Sequence, residues 1–323
     1  MKNKNIAIII NSFNRLSLLK DGLSALVSWL PNSFFNDKCV IVIYDAGSTD
    51  GTIEWVNLNK TTMKIPIKLI LPNAGEDTSF AAGLNAGVAY ANEIMPDLKY
   101  LLFYETDNQI LSEKPLLGAL KQIQTNKDLA ACGFTVRYHN GLTAGVGMPF
   151  PKIINFVLGP RLVHAFNLEA ISYSWEKVNE IQFSEVDVVF TSPLLVKLEV
   201  WLESNGLDAE TFPFSDCDID WAMRLRLLGY KMGVIKTDNV IHDNCQETSS
   251  WSKTRSQHLH RARLRYFLRY YPKMIYLVWP HFLLVRHFFE LVFIKLFIKD
   301  YKRRKHLHLI AKNLLASCFN RYE

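Results

Sequence analysis

Short apolar runs alternate with helix-length stretches through residues 6–104, and few folds accept that alternation. Residues 6–10, 39–44, 67–71 and 100–104 have strand length and are almost wholly apolar, while 16–29, 52–58 and 80–91 have helix length. Strands without polar alternation suit a sheet covered on both faces. Strand–helix alternation then predicts an α/β fold with a doubly wound, mostly parallel sheet. The chain has 323 residues and 49% apolar content, enough for a full core in one or two domains.

The ends of these strands carry the polar chemistry. Val42-Ile43-Tyr44-Asp45 runs into Ala46-Gly47-Ser48-Thr49-Asp50-Gly51-Thr52, an acidic turn with two glycines. Asp45 thus falls at the C-terminal end of a strand, where open α/β sheets bind ligands. The first strand ends in Asn11-Ser12-Phe13-Asn14-Arg15. Tyr100-Leu101-Leu102-Phe103-Tyr104 leads into Glu105-Thr106-Asp107, two carboxylates spaced i, i+2, which face one side of an extended segment. Such a pair can hold a hard divalent ion, Mg²⁺ or Mn²⁺. A solvated strand end is the plainer alternative.

Three further segments carry candidates. Asn73-Ala74-Gly75 precedes Ala82-Gly83-Leu84-Asn85-Ala86-Gly87, whose small residues suit a closely packed helix start. Phe214-Ser215-Asp216-Cys217-Asp218-Ile219-Asp220-Trp221 is an acidic block leading into Arg224-Leu225-Arg226 and Gly229-Tyr230. Its acids read either as a general base or as the acidic first turn of a helix, where carboxylates favour the dipole. His242 follows the apolar pair Val240-Ile241, and Asp187 sits within Glu185-Val186-Asp187-Val188-Val189.

Taken together, 45–52, 105–107 and 214–230 resemble the motifs of family 2 glycosyltransferases, over about residues 5–245. The resemblance implies a GT-A, Rossmann-like domain over 1–245; the residues of 246–323 read separately as a basic, aromatic helical region. It implies inverting transfer of a sugar from a nucleoside diphosphate donor of UDP or dTDP type, with a rhamnosyl- or galactofuranosyl-transferase flavour. Asn11, Phe13, Arg15, Asp45, Ser48, Asp50, Asn73, Gly83, Asn85, Glu105 and Thr106 would contact the nucleotide sugar, with Asp45 accepting hydrogen bonds from base or ribose. Glu105, Asp107 and His242 would hold the metal, although Glu105 replaces the usual first Asp and a histidine after a strand has a structural reading too. Counting back from Gly229-Tyr230 makes Asp218 the base and puts Cys217 on the first acidic position; a slipped register makes it Asp216. Asp187, Asp220 and Trp221 would lie on the acceptor side. A nucleotide-sugar binder or scaffold without catalysis is the alternative.

Charge divides the chain. Residues 251–323 hold 16 Lys/Arg against 3 Asp/Glu, a net +13, which leaves −7 on the first 250 residues out of the total of +6. Residues 274–298 are strongly apolar yet include Arg286, His287, Glu290 and Lys295, which makes a spanning helix costly. Basic residues beside an apolar run suit attachment to an anionic membrane surface. A spanning helix, a homo-oligomeric contact and a core helix are the other uses of such a segment. Nucleic acid is not expected, because the aromatics merge into an apolar run instead of lining a basic groove. The five scattered cysteines form no CxxC pair, which suits a reducing compartment, and no signal peptide is visible. The expected place is the cytoplasmic face of a plasma membrane, with a glycan or lipid-linked acceptor. Residues 138–180, broken by glycine and proline, read as a loop-rich insertion that could line the acceptor site or be an ordinary surface excursion.

Overall fold

A computed structural model describes residues 4–138, 141, 143–144, 147–168, 173–178, 181–242, 253–271 and 273–319. Its strands are β1 (Ile6–Ser12), β2 (Cys39–Asp45), β3 (Ile67–Ile70), β4 (Tyr100–Phe103), β5 (Asn108–Ile110), β6 (Leu129–Phe134), β7 (Val136–Arg137), β8 (Thr143–Ala144), β9 (Gly147–Met148), β10 (Glu176–Val178), β11 (Ile181–Val186), β12 (Val188–Val189), β13 (Leu194–Lys197), β14 (Lys231–Ile235) and β15 (Val240–His242). Its helices are α1 (Leu16–Trp29), α2 (Thr52–Asn59), α3 (Phe80–Ile94), α4 (Lys114–Thr125), α5 (Ile153–Leu158), α6 (Pro160–Ala165), α7 (Leu198–Glu203), α8 (Cys217–Leu227), α9 (Lys253–Tyr270), α10 (Lys273–Phe297) and α11 (Tyr301–Phe319).

A nine-stranded sheet in the order β10-β11-β14-β6-β13-β4-β1-β2-β3 forms the centre. The neighbours β4, β1, β2 and β3 are parallel, so all four end on the same edge. The apolar residues of β1, β2 and β4 are buried on both faces, as the continuous hydrophobic runs require, while the edge strand β3 is only partly covered. Helix α3 lies against β1 and β2 through Gly83 and Gly87. A Cβ on Gly83 would come within 2.8 Å of Tyr44 and 2.9 Å of Asn11, and one on Gly87 within 2.8 Å of Ile9. The small residues of this segment therefore bring the helix down onto the sheet.

The sheet is more mixed than the alternation of elements suggests. β13 lies between β4 and β6 and is antiparallel to both. It follows a turn at 190–193 on the edge where β4 ends, so it can only run back across the sheet. The edge strands β11 and β10 are antiparallel as well.

The chain divides into two compact units: Met1–Phe150 with Ile171–Cys245, and Pro151–Ala170 with Gln246–Glu323. The change expected at 245/246 falls within 243–252, outside the described residues. The expected loop-rich insertion holds two short helices, α5 and α6, and residues 151–170 belong with the C-terminal helices. Pro160 opens α6, where its missing N–H costs nothing, and Gly159 turns between the two helices at φ 80°. The glycines and prolines thus punctuate short helices instead of abolishing them.

Within the second unit, Arg286 of α10 donates to the carbonyls of Phe156 and Val157 at the end of α5, at 2.6 and 3.3 Å. Such carbonyls have no partner inside their own helix. The Tyr271 hydroxyl donates to Pro151 O at 3.2 Å. Among the described residues no helix is long and apolar enough to cross a membrane.

Candidate active site

The edge where β1, β2, β3 and β4 end gathers most of the residues singled out from the sequence. Asp45 closes β2 and is fully buried. Its Oδ1 accepts the N–H groups of Gly47 (3.1 Å) and Ser48 (2.7 Å), and its Oδ2 accepts the Ser48 hydroxyl (2.7 Å). The carboxylate expected to face a base or ribose is here occupied by the turn that follows it. Ser48 Oγ in turn accepts the Asn14 N–H at 2.8 Å, which ties the β1 and β2 turns together. Asp50 accepts from the Leu16 N–H (2.9 Å) at the start of α1 and from the Thr52 hydroxyl (2.6 Å) at the start of α2. It thereby satisfies the first N–H groups of both helices, those of Leu16 and Thr52, a use of an Asp that needs no ligand.

Phe13 and Arg15 follow β1. Phe13 is 56% exposed, an aromatic face presented to solvent beside the turn. Asn11 is turned toward α3: its Nδ2 donates to Phe80 O at 3.2 Å, while its buried Oδ1 has no hydrogen-bond partner.

Glu105, Thr106 and Asp107 lie in a tight turn just beyond β4, closed by the Asn108 N–H to Glu105 O at 3.0 Å. The extended geometry expected for the pair is thus replaced by a turn, which carries the chain from β4 of the central sheet to β5, paired with β15 in a separate four-stranded sheet. Asp107 is buried and paired on both oxygens. Oδ2 meets Arg15 Nη1 at 3.2 Å, and Oδ1 lies 3.3 Å from His242 Nδ1 and accepts from Asn108 Nδ2 at 3.2 Å. Burial alone would raise this carboxyl; the hydrogen bond and charge of His242, then the Arg15 guanidinium, overcome it and hold the group below its usual range. Burial, and then the charge of Asp107, push Glu105 the other way. The Thr191 hydroxyl donates to Glu105 Oε1 at 3.3 Å. His242 Nδ1 also meets Ser192 Oγ at 3.0 Å and Asn108 Nδ2 at 2.9 Å.

The acidic block starts α8. Asp216 is the N-cap in a left-handed conformation (φ 59°) and is buried, and its carbonyl accepts the Asp220 N–H at 2.8 Å. Cys217 points into the core, where burial drives its thiol well above the ordinary range. Asp218 is half-buried in the first turn. Burial first, then the charge of Asp216 and finally that of Glu105, push it up to about 7. The block is tied to the strand-end edge through its approach: Pro213 O accepts the Ala81 N–H at the start of α3 at 3.0 Å.

Other expected site residues have scaffold contacts. Asp220 is fully buried and accepts from Arg224 Nε at 2.9 Å, while Arg224 also donates to the carbonyls of Ser204 and Gly206. Trp221 Nε1 donates to Ser204 Oγ at 2.8 Å. Asn85 grips the same loop, donating to Leu207 O (2.7 Å) and accepting the Leu207 N–H (3.0 Å). Asp220, Trp221 and Asn85 therefore fix 204–207, the segment leading toward the acidic block. Asp187 accepts the Phe150 N–H at 3.2 Å and lies 3.6 Å from Arg226. Asn73 is exposed and bound to Glu76 through both its backbone and side-chain nitrogens.

Asn108, Thr191 and Ser192 were not anticipated. The polar pair Thr191-Ser192 ahead of the apolar run 194–196 is the one local hint of a strand start aimed at the site.

Among the described residues no three His, Cys, Asp or Glu side chains form a ready-made metal cage. The donor chemistry nevertheless fits a hard divalent ion. Asp107 and His242 lie side by side at the turn, Glu105 stands two residues from Asp107, and the buried Asn108 Oδ1 beside them has no hydrogen-bond partner, an oxygen-rich donor set of the kind hard cations take.

No protein-family model matches the chain, and no curated protein matches it in sequence. Solved structures do match. The mannosyltransferase PcManGT from Pyrobaculum calidifontis, in complex with GDP-Man and Mn²⁺, superposes with a TM-score of 0.56 at 15% identity, over 99% of this chain and 88% of its own. TarS residues 1–349 from S. aureus, in complex with UDP-GlcNAc, gives 0.50 at 12% identity, over 98% and 92%. The same protein with UDP gives 0.51 at 12%, over 98% and 91%. What this chain shares with these glycosyltransferases is the fold: a large central sheet with flanking helices, of GT-A type.

Proposed function

We propose that the chain is a glycosyltransferase that moves a sugar from a nucleoside diphosphate donor to a glycan or lipid-linked acceptor, with inversion at the sugar carbon. The observation that carries this reading is the meeting of two acidic groups at one sheet edge. Glu105 and Asp107 follow β4, and Asp216 and Asp218 open α8 just after Pro213, whose carbonyl accepts the Ala81 N–H at 3.0 Å where α3 starts beside the end of β1. The donor complexes of the structural neighbours, with GDP-Man and UDP-GlcNAc, support a nucleotide sugar as the ligand class.

In this reading Glu105, Asp107 and His242 hold Mg²⁺ or Mn²⁺, a choice supported by the Mn²⁺ in the mannosyltransferase complex. When bound, the ion offsets charge on the departing diphosphate. Arg15, fixed by Asp107, adds a second positive group on the same side. Phe13 offers a surface for stacking the base. Asp218 takes the proton of the acceptor hydroxyl; burial and Asp216 raise it toward neutrality, where a carboxylate is a better proton acceptor. Asp216 is the alternative base. Rhamnosyl or galactofuranosyl transfer from a UDP or dTDP donor remains the specific expectation.

A second reading, nucleotide-sugar binding without transfer, is favoured by two features. Arg15 and His242 already neutralise Asp107, and Cys217 is buried where an acid was expected. Calorimetry with UDP-, dTDP- and GDP-sugars, with and without Mn²⁺, tests the metal-dependent donor site. One donor should bind only with Mn²⁺, and Asp107→Ala should abolish that binding while circular dichroism stays unchanged. Donor affinity that ignores both Mn²⁺ and the substitution would contradict the proposed donor site.

A further inference from the structure

The C-terminal unit carries a surface that the transfer chemistry does not use and that stands independently of it. Helix α10 contains Arg286, His287 and Glu290 in the middle of an apolar run, which in sequence spoils any single apolar stripe. The structure turns these three away from the outer face. His287 is fully buried, with Nδ1 2.8 Å from Glu290 Oε2. Arg286 donates to Glu290 Oε1 at 2.9 Å and to the end of α5, and the His287 ring lies 5.1 Å from that of His260 on α9. Arg286, His287 and Glu290 thus pair with one another inside the unit.

The opposite face carries a stripe of apolar side chains, flanked by exposed His281 and Lys295. Phe282, Val285, Phe289, Val292, Phe293 and Leu296 are 38–68% exposed. Their spacing of i, i+3, i+7, i+10, i+11 and i+14 puts them on one stripe of a helix. A soluble surface rarely leaves a contiguous patch of this kind uncovered. Exposed Lys295, Lys299, Lys302, Arg303 and Lys305 follow at the end of α10 and the start of α11. Between 291 and 319 the sole acidic residue is Asp300. Its Oδ1 accepts the Arg303 N–H at 2.7 Å and its carbonyl accepts the Arg304 N–H at 2.8 Å, so it serves as the cap of α11.

We propose that the outer face of α10 and the basic start of α11 bind the surface of an anionic lipid bilayer, with α10 lying in the plane of the interface. Aromatic and aliphatic side chains partition into the interface, and adjacent cations add attraction to anionic headgroups. A second copy fits less well. Two-fold pairing places the same patch on both sides and brings each basic cluster toward its own image. A spanning helix would carry Arg286, His287 and Glu290 into hydrocarbon, where ionisable groups are costly.

Co-sedimentation of the full chain with vesicles tests this, using phosphatidylglycerol mixed with phosphatidylcholine against phosphatidylcholine alone. Binding should require the anionic lipid and weaken with salt. Phe289→Ser/Phe293→Ser/Leu296→Ser should abolish it with an unchanged circular dichroism spectrum and melting temperature. Lys299→Ser/Lys302→Ser/Arg303→Ser should weaken it by about fivefold for each cation removed. The proposal is overturned if the wild type ignores anionic vesicles or if the apolar-face variant binds as well as the wild type. It is likewise overturned by resistance to carbonate extraction, or by a solution dimer that this variant dissociates without any vesicle binding.

Discussion

Asp107 and Asp218 are carboxylates at one sheet edge held in opposite states by their neighbours. Asp107 is kept ionised by His242 and Arg15, while Asp218 is pushed up to about 7 by burial and Asp216. A division of this kind separates a charge-holding acid from a proton-accepting one. Asp218→Asn should therefore lower transfer by roughly 10²–10⁴-fold with donor affinity retained. If Asp216→Asn abolishes transfer and Asp218→Asn does not, the base is Asp216. Gly83 makes a separate point about packing. Gly83→Ala puts a methyl against Tyr44 and Asn11, at a cost of about 1–3 kcal/mol for overpacking, offset by about 1 kcal/mol of helix propensity. A net fall in melting temperature checks this; a rise would mean that α3 can lift off the sheet without penalty. Both acid pairs were legible in the sequence because strand ends and helix starts concentrate polar residues. Their surroundings were not. Asn108 meets Ser192 across 84 positions, and only the antiparallel return of β13 brings them together. Asp45 and Asp220 were legible as acids near the site, but their burial and internal partners come from turn and loop geometry that spacing does not encode.

At the scale of elements, β1 to β4 and helices α1 to α3 lie where apolar runs and helical lengths place them, since local pattern and tertiary burial agree there. The antiparallel β13 was illegible because strand direction depends on where the preceding loop ends. The short helices α5 and α6 were hidden by the glycine and proline that bound them. In the second unit the buried contact between α9 and α10 has a pH dependence. Burial first, then the charges of His287 and Arg286, lower His260 from 6.5 to about 3, with Glu290 opposing and the Phe156 ring of α5 lying 5.1 Å away. A histidine whose folded pKa is depressed is neutral in the folded state and protonated in the unfolded chain between those values. Its contribution is intact above pH 6.5 and is lost progressively as pH falls toward 3. Acidification to about pH 5 should cost roughly 2 kcal/mol from this group. The melting temperature should fall accordingly, and His260→Phe should flatten the fall. An equally steep fall in the variant would place the titrating group elsewhere.

At the scale of the whole molecule, the division of charge seen in the sequence follows the division into units only in part, because residues 151–170 leave the first unit and pack with the C-terminal helices. A chain ended at 245 should therefore lose the partners of α5 and α6, and limited proteolysis should cut within 151–170 while the full chain resists. Equal resistance of both chains would show that 151–170 is held by other means. The central claim is sugar transfer at the edge shared by the β4 turn and the start of α8. Its most direct measurement is turnover of the nucleotide sugar that binds, in Mn²⁺, by the full chain and by Asp218→Asn and Asp107→Ala. The expected result is release of the nucleoside diphosphate by the wild type, stimulated by an acceptor and suppressed by both substitutions. A donor that binds with Mn²⁺ yet is never turned over, with any glycan or lipid-linked acceptor, would contradict the account and leave a binding protein on a transferase fold.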